Sequence, residues 1–375
     1  MKILFAGGGT GGHLFPAIAI ARELERLCDD CHIEFVGTRY GIEWKMKDSL
    51  DWPLTPIAIR GLPRKISPAL LAFPFRLMIA IMQTLRIFRR FRPDAVVGTG
   101  GYVAGPVIMA AALKNIPRVL QEQNSYPGLV TRKLASRTDM VFVAYRKAGD
   151  YLDSSVRVKV TGNPIRRSIL SGDRAKAIEK FGLRADRKTI LILGGSQGAR
   201  RINEAVQSSL EYLNDEVQLL WQCGKRDYKE QAARLSKKDF VISLFPFSDD
   251  MDLVYAAADL AVARAGALTI AELTACGLPS LLIPFPHATA DHQTHNAADI
   301  VAAGAAEMIA DADLDNMNLL EQAVELVTSD RRQAMAEASR KLGRPEAATE
   351  IAREVLQLAG LKGEAIDLRQ QDRID

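Results

Sequence analysis

Short apolar runs, glycine-rich turns and stretches of helical periodicity follow one another along most of this chain. The apolar run 2–6 predicts a buried strand, residues 7–12 predict a turn, and Pro16 suits the start of the next helix. The same order returns at the apolar run 189–193 and the turn 194–198. The other predicted strands are 33–36, 95–97, 118–121, 140–144, 217–222, 260–263 and 280–283, and a helix is predicted over 268–276.

Strands that alternate with helices favour parallel sheets with right-handed crossovers. The two runs, each opening with a glycine-rich turn, predict the α/β class with two Rossmann-like domains whose parallel sheets face a cleft. Ligands bind such sheets at the carboxyl ends of the strands. The turn-rich segment 161–166 marks the junction. We predict an N-terminal domain over 1–162, a C-terminal domain over 163–345, and over 346–375 a helix, packing back toward the N-terminal domain, with a polar tail.

The composition is that of a globular protein, because 48% of the 375 residues are hydrophobic and 25% are charged. Four cysteines, at positions 28, 31, 223 and 276, are too few and too scattered for a disulfide framework. We expect no signal peptide, which would need a longer apolar region than residues 2–6, and no spanning helix, which would need ~18 uninterrupted apolar residues. These features predict a cytoplasmic protein with reduced thiols.

One segment concentrates the positive charge. Residues 52–93 hold eight Lys and Arg and no Asp or Glu, within a chain of net charge +4. Many of the basic residues alternate with large apolar ones, which fits an anionic lipid surface better than nucleic acid. A helix whose apolar face is simply core is the alternative. The candidate membrane residues are Leu70, Leu71, Phe73, Phe75 and Arg76.

The first glycine-rich turn suits a bound diphosphate, since glycines admit the ligand to the backbone and a helix N-terminus favours its charge. A nicotinamide site would need an acid at the end of the second strand, where Arg39 follows Val36-Gly-Thr, and no Walker A Gly-Lys-Ser/Thr follows the turn. His13 comes directly after the glycines, where a general base belongs. A capping or phosphate-binding histidine is the alternative.

Two later motifs also suit a nucleotide. Ser196 adds a hydroxyl to the turn 194–198, although a plain strand-to-helix turn would look the same. Thr269 and Glu272 share one face at a helix start, where a carboxylate can accept hydrogen bonds from ribose hydroxyls. The alternative for Glu272 is a favourable position on the helix dipole.

Patterns that suggest metal or haem are weak here. The Cys-Asp-Asp-Cys-His run at 28–32 resembles a haem attachment site but lacks an export signal, and one Cys pair is poor evidence for zinc. The acidic run 248–252 is better explained by helix capping than by a metal, and its repetition at 311–315 shows that the pattern carries little information. We expect neither a cofactor nor a catalytic metal.

Seven motifs in order resemble one family. They are Gly-Gly-Thr-Gly-Gly-His at 8–13, Gly-Thr-Gly-Gly-Tyr-Val-Ala-Gly-Pro at 98–106, Glu-Gln-Asn at 122–124, Gly-Asn-Pro-Ile-Arg at 162–166, Gly-Gly-Ser-Gln-Gly-Ala at 194–199, Gly-Ala-Leu-Thr-Ile-Ala-Glu at 266–272 and Asp-His-Gln at 291–293. The chain thus resembles the bacterial cell-wall N-acetylglucosaminyltransferases that complete lipid II, which have the GT-B fold. The resemblance covers residues 1 to about 358.

The resemblance implies inverting transfer of GlcNAc from UDP-GlcNAc to the 4-hydroxyl of undecaprenyl-diphospho-MurNAc-pentapeptide (lipid I), in peptidoglycan synthesis. The N-terminal domain would bind the acceptor and the membrane, and the C-terminal domain the donor. His13, as base, with Tyr102 and Glu122 would serve the acceptor side. Implied donor contacts are Thr10, Gly11, Gly12, Asn124, Arg166, Ser196, Asn203, Ser248, Ala267, Leu268, Thr269, Ile270, Ala271, Glu272 and Gln293.

The implied location is the cytoplasmic face of the bacterial cell membrane, peripherally bound, with cell-wall synthesis and division proteins as partners and no nucleic acid. Two alternatives stay open. A nucleotide-sugar:diacylglycerol glycosyltransferase would share the donor loops and the membrane segment. A non-catalytic nucleotide-binding membrane adaptor would need the loops but neither His13 nor Glu122.

Overall fold

The computed structural model describes residues 1–61, 71–194, 199–235 and 240–361, apart from the side chain of residue 289. The chain forms two compact units, of which unit 1 comprises Met1–Arg166 with Glu346–Asp375 and unit 2 comprises Arg167–Pro345. Across the described ranges, no helix combines the length and the apolar character needed to cross a bilayer.

Strands and helices alternate in both units. The strands are β1 Lys2–Gly7, β2 His32–Gly37, β3 Leu54–Pro56, β4 Ala95–Gly100, β5 Arg118–Glu122, β6 Met140–Val143, β7 Val158–Val160, β8 Lys188–Leu193, β9 Val217–Gln222, β10 Ile242–Phe245, β11 Leu260–Ala263, β12 Ser280–Leu282 and β13 Ala306–Met308. The helices are α1 Gly11–Leu27, α2 Ile42–Lys45, α3 Phe73–Phe91, α4 Gly101–Leu113, α5 Leu129–Leu134, α6 Arg146–Gly149, α7 Arg174–Phe181, α8 Arg200–Ser208, α9 Tyr228–Leu235, α10 Met251–Ala257, α11 Ala267–Ala275, α12 His292–Ala302, α13 Leu319–Thr328, α14 Arg331–Leu342 and α15 Ala347–Leu358.

Both sheets are parallel. The strand order is β3-β2-β1-β4-β5-β6-β7 in unit 1 and β10-β9-β8-β11-β12-β13 in unit 2. The order reverses between β1 and β4 in the first sheet and between β8 and β11 in the second. Such a reversal leaves a crevice at the carboxyl ends of the strands. The predicted fold class is therefore confirmed.

The central strands are apolar because helices cover both of their faces. Ile3, Leu4, Phe5 and Ala6 of β1 are fully buried. The predicted list omitted β3, β7, β10 and β13, which are the edge strands of the two sheets. These are strands of three or four residues, half-buried or exposed along most of their length, so they lack the apolar run that marks a central strand.

The last helix, α15, packs on α1 within unit 1. Ile351, Val355 and Leu356 join the core that holds Leu14. The Thr349 hydroxyl donates a hydrogen bond of 2.9 Å to Glu23, and Lys159 pairs with two glutamates of the helix. The chain thus returns from unit 2 to complete the core of unit 1.

Candidate functional site

In unit 1, the turns after β1 and β4 meet at the point where the strand order reverses. Gly9, Gly100 and Gly101 have positive φ values of 86°, 103° and 73°. A Cβ on Gly101 would lie 2.4 Å from the carbonyl oxygen of Gly8. Glycine is therefore required where these two turns touch.

His13 lies on the first turn of α1, against this contact. Its Nδ1 is 2.9 Å from Oε1 of Gln123 and 3.1 Å from the carbonyl oxygen of Thr99. Both partners are acceptors, so Nδ1 carries the proton. Nε2 then holds the lone pair, which is the form that can accept a proton from a hydroxyl.

Gln123 is held in one orientation by buried neighbours. Its Nε2 donates to the backbone carbonyl oxygens of Thr99 at 2.7 Å and Gln121 at 3.1 Å. The backbone carbonyl oxygen of Gln123 accepts a hydrogen bond of 2.9 Å from the Asn163 side chain. Gln123 is 3% exposed. Its Oε1 therefore faces His13. Gln123 lies within the Glu-Gln-Asn motif at 122–124, but no pattern in the sequence indicates this role.

Glu122 and Tyr102, predicted with His13, lie in different environments. Tyr102 is 55% exposed and its ring covers Gly61. Glu122 is 3% exposed, and its oxygens accept hydrogen bonds from Asn124, the Gly128 amide and the Thr131 hydroxyl. This arrangement fits a residue that positions the Asn124 loop, and the role of Glu122 on the acceptor side stays a prediction.

Glu43 is a site residue that the sequence analysis missed. It is fully buried beneath the first glycine-rich turn, where Oε2 accepts the Gly9 amide proton at 2.7 Å. Its Oε1 accepts from both the amide and the hydroxyl of Thr38, at 2.8 and 2.9 Å. Glu43 therefore fixes the shape of the turn. Gly9 and Glu43 are 34 positions apart in the sequence, and no local pattern connects them.

In unit 2, the motif at 266–272 forms the start of α11. Gly266 is the N-cap residue, so the first amides of the helix point out at the carboxyl end of β11. Thr269 and Glu272 are half-buried, and Oε2 of Glu272 accepts a hydrogen bond of 2.7 Å from the Tyr255 hydroxyl. The Ile270 side chain is buried in the core, so a ligand contact there could come from its backbone alone.

The remaining predicted donor positions are spread over both units. Gln293 is the second residue of α12, and its side chain accepts the Phe285 amide proton at 2.9 Å. Ser248 accepts the Asp250 amide proton at 3.1 Å, and Arg166 is half-buried at the end of unit 1. Thr10 is the N-cap residue of α1, exposed and without a side-chain cap hydrogen bond. Ser196 lies outside the described residues.

Asn203 is not placed to bind a donor. It is fully buried, and its Nδ2 donates to the Cys223 carbonyl oxygen and to Asp227, at 2.9 and 2.8 Å. Its Oδ1 accepts from the Trp221 indole at 3.0 Å. The amide thus joins α8 to the end of β9, and the structure does not support the predicted contact.

Residues 73–91 of the basic segment form α3, which has two different faces. One face packs into the core through Ala80, Ile81, Thr84, Ile87 and Phe88. The other exposes large apolar side chains, namely Phe75, Met78, Ile79 and Met82, at 75, 59, 45 and 46%.

The buried face fits the core interpretation, whereas membrane contact through the exposed face stays a prediction. The apolar residues of α3 do not all enter the core, because the spacing of Met78, Ile79 and Met82 puts them beside the exposed Phe75. Phe73 is half-buried against the core, so it differs from the predicted membrane anchor. Leu71 is 79% exposed and Arg76 half-buried. Leu70 lies outside the described residues.

The four cysteines lie in the described parts of the chain as free thiols. Burial raises the pKa of the Cys31 thiol to about 12, so this thiol is protonated at neutral pH. No group of three or more His, Cys, Asp or Glu among the residues described could hold a metal ion.

Two family descriptions match the chain in order. The glycosyltransferase family 28 N-terminal domain matches residues 3–143, and the family 28 C-terminal domain matches residues 189–351. A Salinibacter ruber protein is 43% identical over 95% of this chain and 96% of its own length. A Halothermothrix orenii protein is 38% identical over 92% of this chain and 95% of its own length. Both are named UDP-N-acetylglucosamine--N-acetylmuramyl-(pentapeptide) pyrophosphoryl-undecaprenol N-acetylglucosamine transferase.

Solved structures agree with this match. MurG of Acinetobacter baumannii is 29% identical, with a TM-score of 0.76 over 95% of this chain and 99% of its own. A UDP-GlcNAc 2-epimerase from Neisseria meningitidis bound to UDP-GlcNAc is 17% identical, with a TM-score of 0.66 over 95% of this chain and 100% of its own. The second likeness is one of fold alone.

Proposed function

Because this chain belongs to glycosyltransferase family 28, it is a glycosyltransferase, and we propose that it transfers GlcNAc from UDP-GlcNAc to the 4-hydroxyl of lipid I. The product is lipid II, the lipid-linked disaccharide-pentapeptide from which peptidoglycan is built. The relatives at 38 and 43% identity carry this transferase name over nearly their whole length. The arrangement of His13 is the single observation in the fold that carries the chemistry.

The proposed reaction is a single displacement with inversion. Nε2 of His13 takes the proton of the acceptor 4-hydroxyl as its oxygen attacks the anomeric carbon of GlcNAc. The bond from that carbon to the diphosphate oxygen breaks on the opposite side, and UDP leaves with the electron pair. The α-linked donor thus gives a β-linked product. The Nδ1 hydrogen bonds to Gln123 and Thr99 support this step, because they keep the lone pair on Nε2.

The leaving UDP gains negative charge, which the protein must stabilise. The start of α11 fits this need, since helix N-termini present unpaired amides and a positive dipole end. Glu272 would accept the ribose hydroxyls, and Arg166 would add positive charge at the diphosphate. The remaining proposed donor contacts are Thr10, Gly11, Gly12, Asn124, Ser196, Ser248, Ala267, Leu268, Thr269, Ile270, Ala271 and Gln293.

The acceptor carries an undecaprenyl chain, so the enzyme works at a membrane surface, and we place that surface on the cytoplasmic side. The exposed face of α3 supports this peripheral contact, because four large apolar side chains stand next to exposed arginines such as Arg86 and Arg89. Proteins of cell-wall synthesis and division remain proposed partners.

Release of UDP from UDP-GlcNAc in the presence of a short-chain lipid I analogue tests the proposal. We expect turnover that depends on this acceptor, and a product whose new linkage is β. A matched reaction with diacylglycerol in place of the lipid I analogue should release no UDP above background. Turnover with diacylglycerol alone would favour the lipid glycosyltransferase alternative. UDP binding without turnover on either acceptor would favour the adaptor.

A further inference from the structure

The buried carboxylate of Asp311 pairs with two arginines that lie near the strand ends of the proposed donor site. Asp311 lies in the short helical turn Asp311–Asp315 after β13 and is 8% exposed. Its Oδ2 is 2.8 Å from Nε of Arg201, and its Oδ1 is 2.6 Å from Nη1 of Arg264. One carboxylate thus pairs with two guanidinium groups from different parts of unit 2.

Each arginine belongs to a segment next to the proposed donor site. Arg264 directly follows β11, two residues before the N-cap Gly266 of α11. Its Nη1 also donates to the carbonyl oxygens of Ile283 and Pro284, both at 3.2 Å, just after β12. Arg201 is the second residue of α8, the helix that follows the glycine-rich turn after β8. The Asp311 carboxylate therefore connects the carboxyl ends of β8, β11, β12 and β13.

We propose that Asp311 is a positioning residue for the donor nucleotide, acting through Arg264 and Arg201. Neither Asp311 oxygen needs to touch the donor, because both face protein guanidinium groups. Holding Arg264 in place fixes where α11 begins, and therefore where its first amides point.

This inference rests on the proposed function, since it assumes that UDP binds unit 2. The experiment compares UDP affinity by calorimetry in the wild-type protein and in Asp311→Asn, which keeps the size of the side chain but removes its charge. We expect the dissociation constant for UDP and the KM for UDP-GlcNAc to rise about tenfold, because the variant loses the ion pairs that hold Arg264 and Arg201. The acceptor KM and kcat at saturating donor should stay within about twofold.

Asp259 provides the matched control for a purely structural role. It also pairs with an arginine, Arg174 at 2.9 Å, and its side chain is 13% exposed. It accepts the Thr189 amide proton, however, at the amino ends of β8 and β11. Asp259→Asn should lower the thermal unfolding temperature as Asp311→Asn does, but should leave UDP affinity unchanged.

A second control uses the exposed neighbour Asp315, which is 3.1 Å from Nη2 of Arg201 and 71% exposed at the side chain. Asp315→Asn should change UDP affinity less than twofold. If Asp311→Asn does not fold, Arg264→Lys replaces it, because one ammonium keeps the charge but cannot reach the carboxylate and both carbonyl oxygens. An unchanged UDP affinity in the folded variant, or an equal loss in Asp259→Asn, would overturn the inference. Failure of the wild-type protein to bind UDP would instead contradict the proposed donor site.

Discussion

Units 1 and 2 place different chemistry on the same architecture. Each has a parallel sheet whose strand order reverses beside a glycine-rich turn. In unit 1, His13 is held by a neutral amide and a backbone carbonyl, and the buried carboxylates Glu43 and Glu122 are satisfied by amide and hydroxyl donors. In unit 2, the corresponding edge joins Arg201 and Arg264 to Asp311.

The difference indicates a division of labour. Neutral hydrogen bonds around His13 set a tautomer without adding charge, which suits proton transfer. Paired charges and the exposed amides at the start of α11 suit an anionic nucleotide. On this account, changes in unit 1 alter turnover and changes in unit 2 alter donor affinity.

The largest expected effect is that of His13→Ala. Loss of the proposed base should lower kcat by roughly 10²–10⁴, measured as UDP release with a soluble acceptor. The donor KM should change little. A fall in kcat of less than about tenfold would show that His13 is not the essential base. Proton transfer could then not be assigned to unit 1.

Glu272→Ala tests the assignment of donor binding to unit 2. Charge-assisted hydrogen bonds to ribose contribute about 1.5–3 kcal/mol, so the donor KM should rise about 10- to 100-fold with the acceptor KM unchanged. Tyr255→Phe is the matched control, because it removes the hydroxyl that donates to Glu272 but keeps the carboxylate. Its effect should be about threefold. An unchanged donor KM in Glu272→Ala contradicts the ribose contact.

Membrane binding should belong to unit 1 alone. Replacing Phe75, Met78 and Met82 by Ser should reduce sedimentation with anionic vesicles about tenfold, since partly inserted apolar side chains lose part of their burial energy. Turnover of a water-soluble acceptor should be unaffected. Wild-type binding should weaken with added salt, because the arginines beside this face are exposed.

The matched control for the α3 variant replaces Leu170 and Met308, which are exposed apolar residues of unit 2, by Ser as well. This variant should sediment with vesicles as the wild-type protein does. If it lost binding as well, or if the α3 variant kept it, the exposed face of α3 would not be the membrane contact.

The smallest expected effect is that of Gln123→Met. One neutral hydrogen bond contributes about 0.5–1.5 kcal/mol, so kcat should fall roughly 2- to 10-fold with an unchanged donor KM. The ¹⁵N shifts of His13 should show a larger share of the Nε2-protonated tautomer. Gln121→Met removes a buried amide from the same cluster but does not contact His13, so it should lower stability and keep the tautomer.

Central elements of the fold could be predicted from the sequence, because buried parallel strands are continuous apolar runs and glycines mark the turns. The four edge strands could not, since their short, partly exposed segments have no distinctive pattern. Likewise, the exposed face of α3 depends on which side of the helix meets the core. Its composition gave no information about that orientation.

The site was predictable as a set of motifs but not as a set of roles. His13 was identified by its place after the glycines. Glu43, Gln123 and Asp311 act through contacts far along the chain, which spacing does not show. Asn203 shows the opposite failure, because a position implied by a family resemblance does not reveal that the side chain is buried.

Calorimetric titration of UDP into His13→Ala tests the central claim most directly, because it separates donor binding from proton transfer in one variant. The account predicts a dissociation constant within about twofold of the wild-type value, in a variant that has lost most of its turnover. A tenfold or greater loss of UDP affinity would contradict the division between the two units.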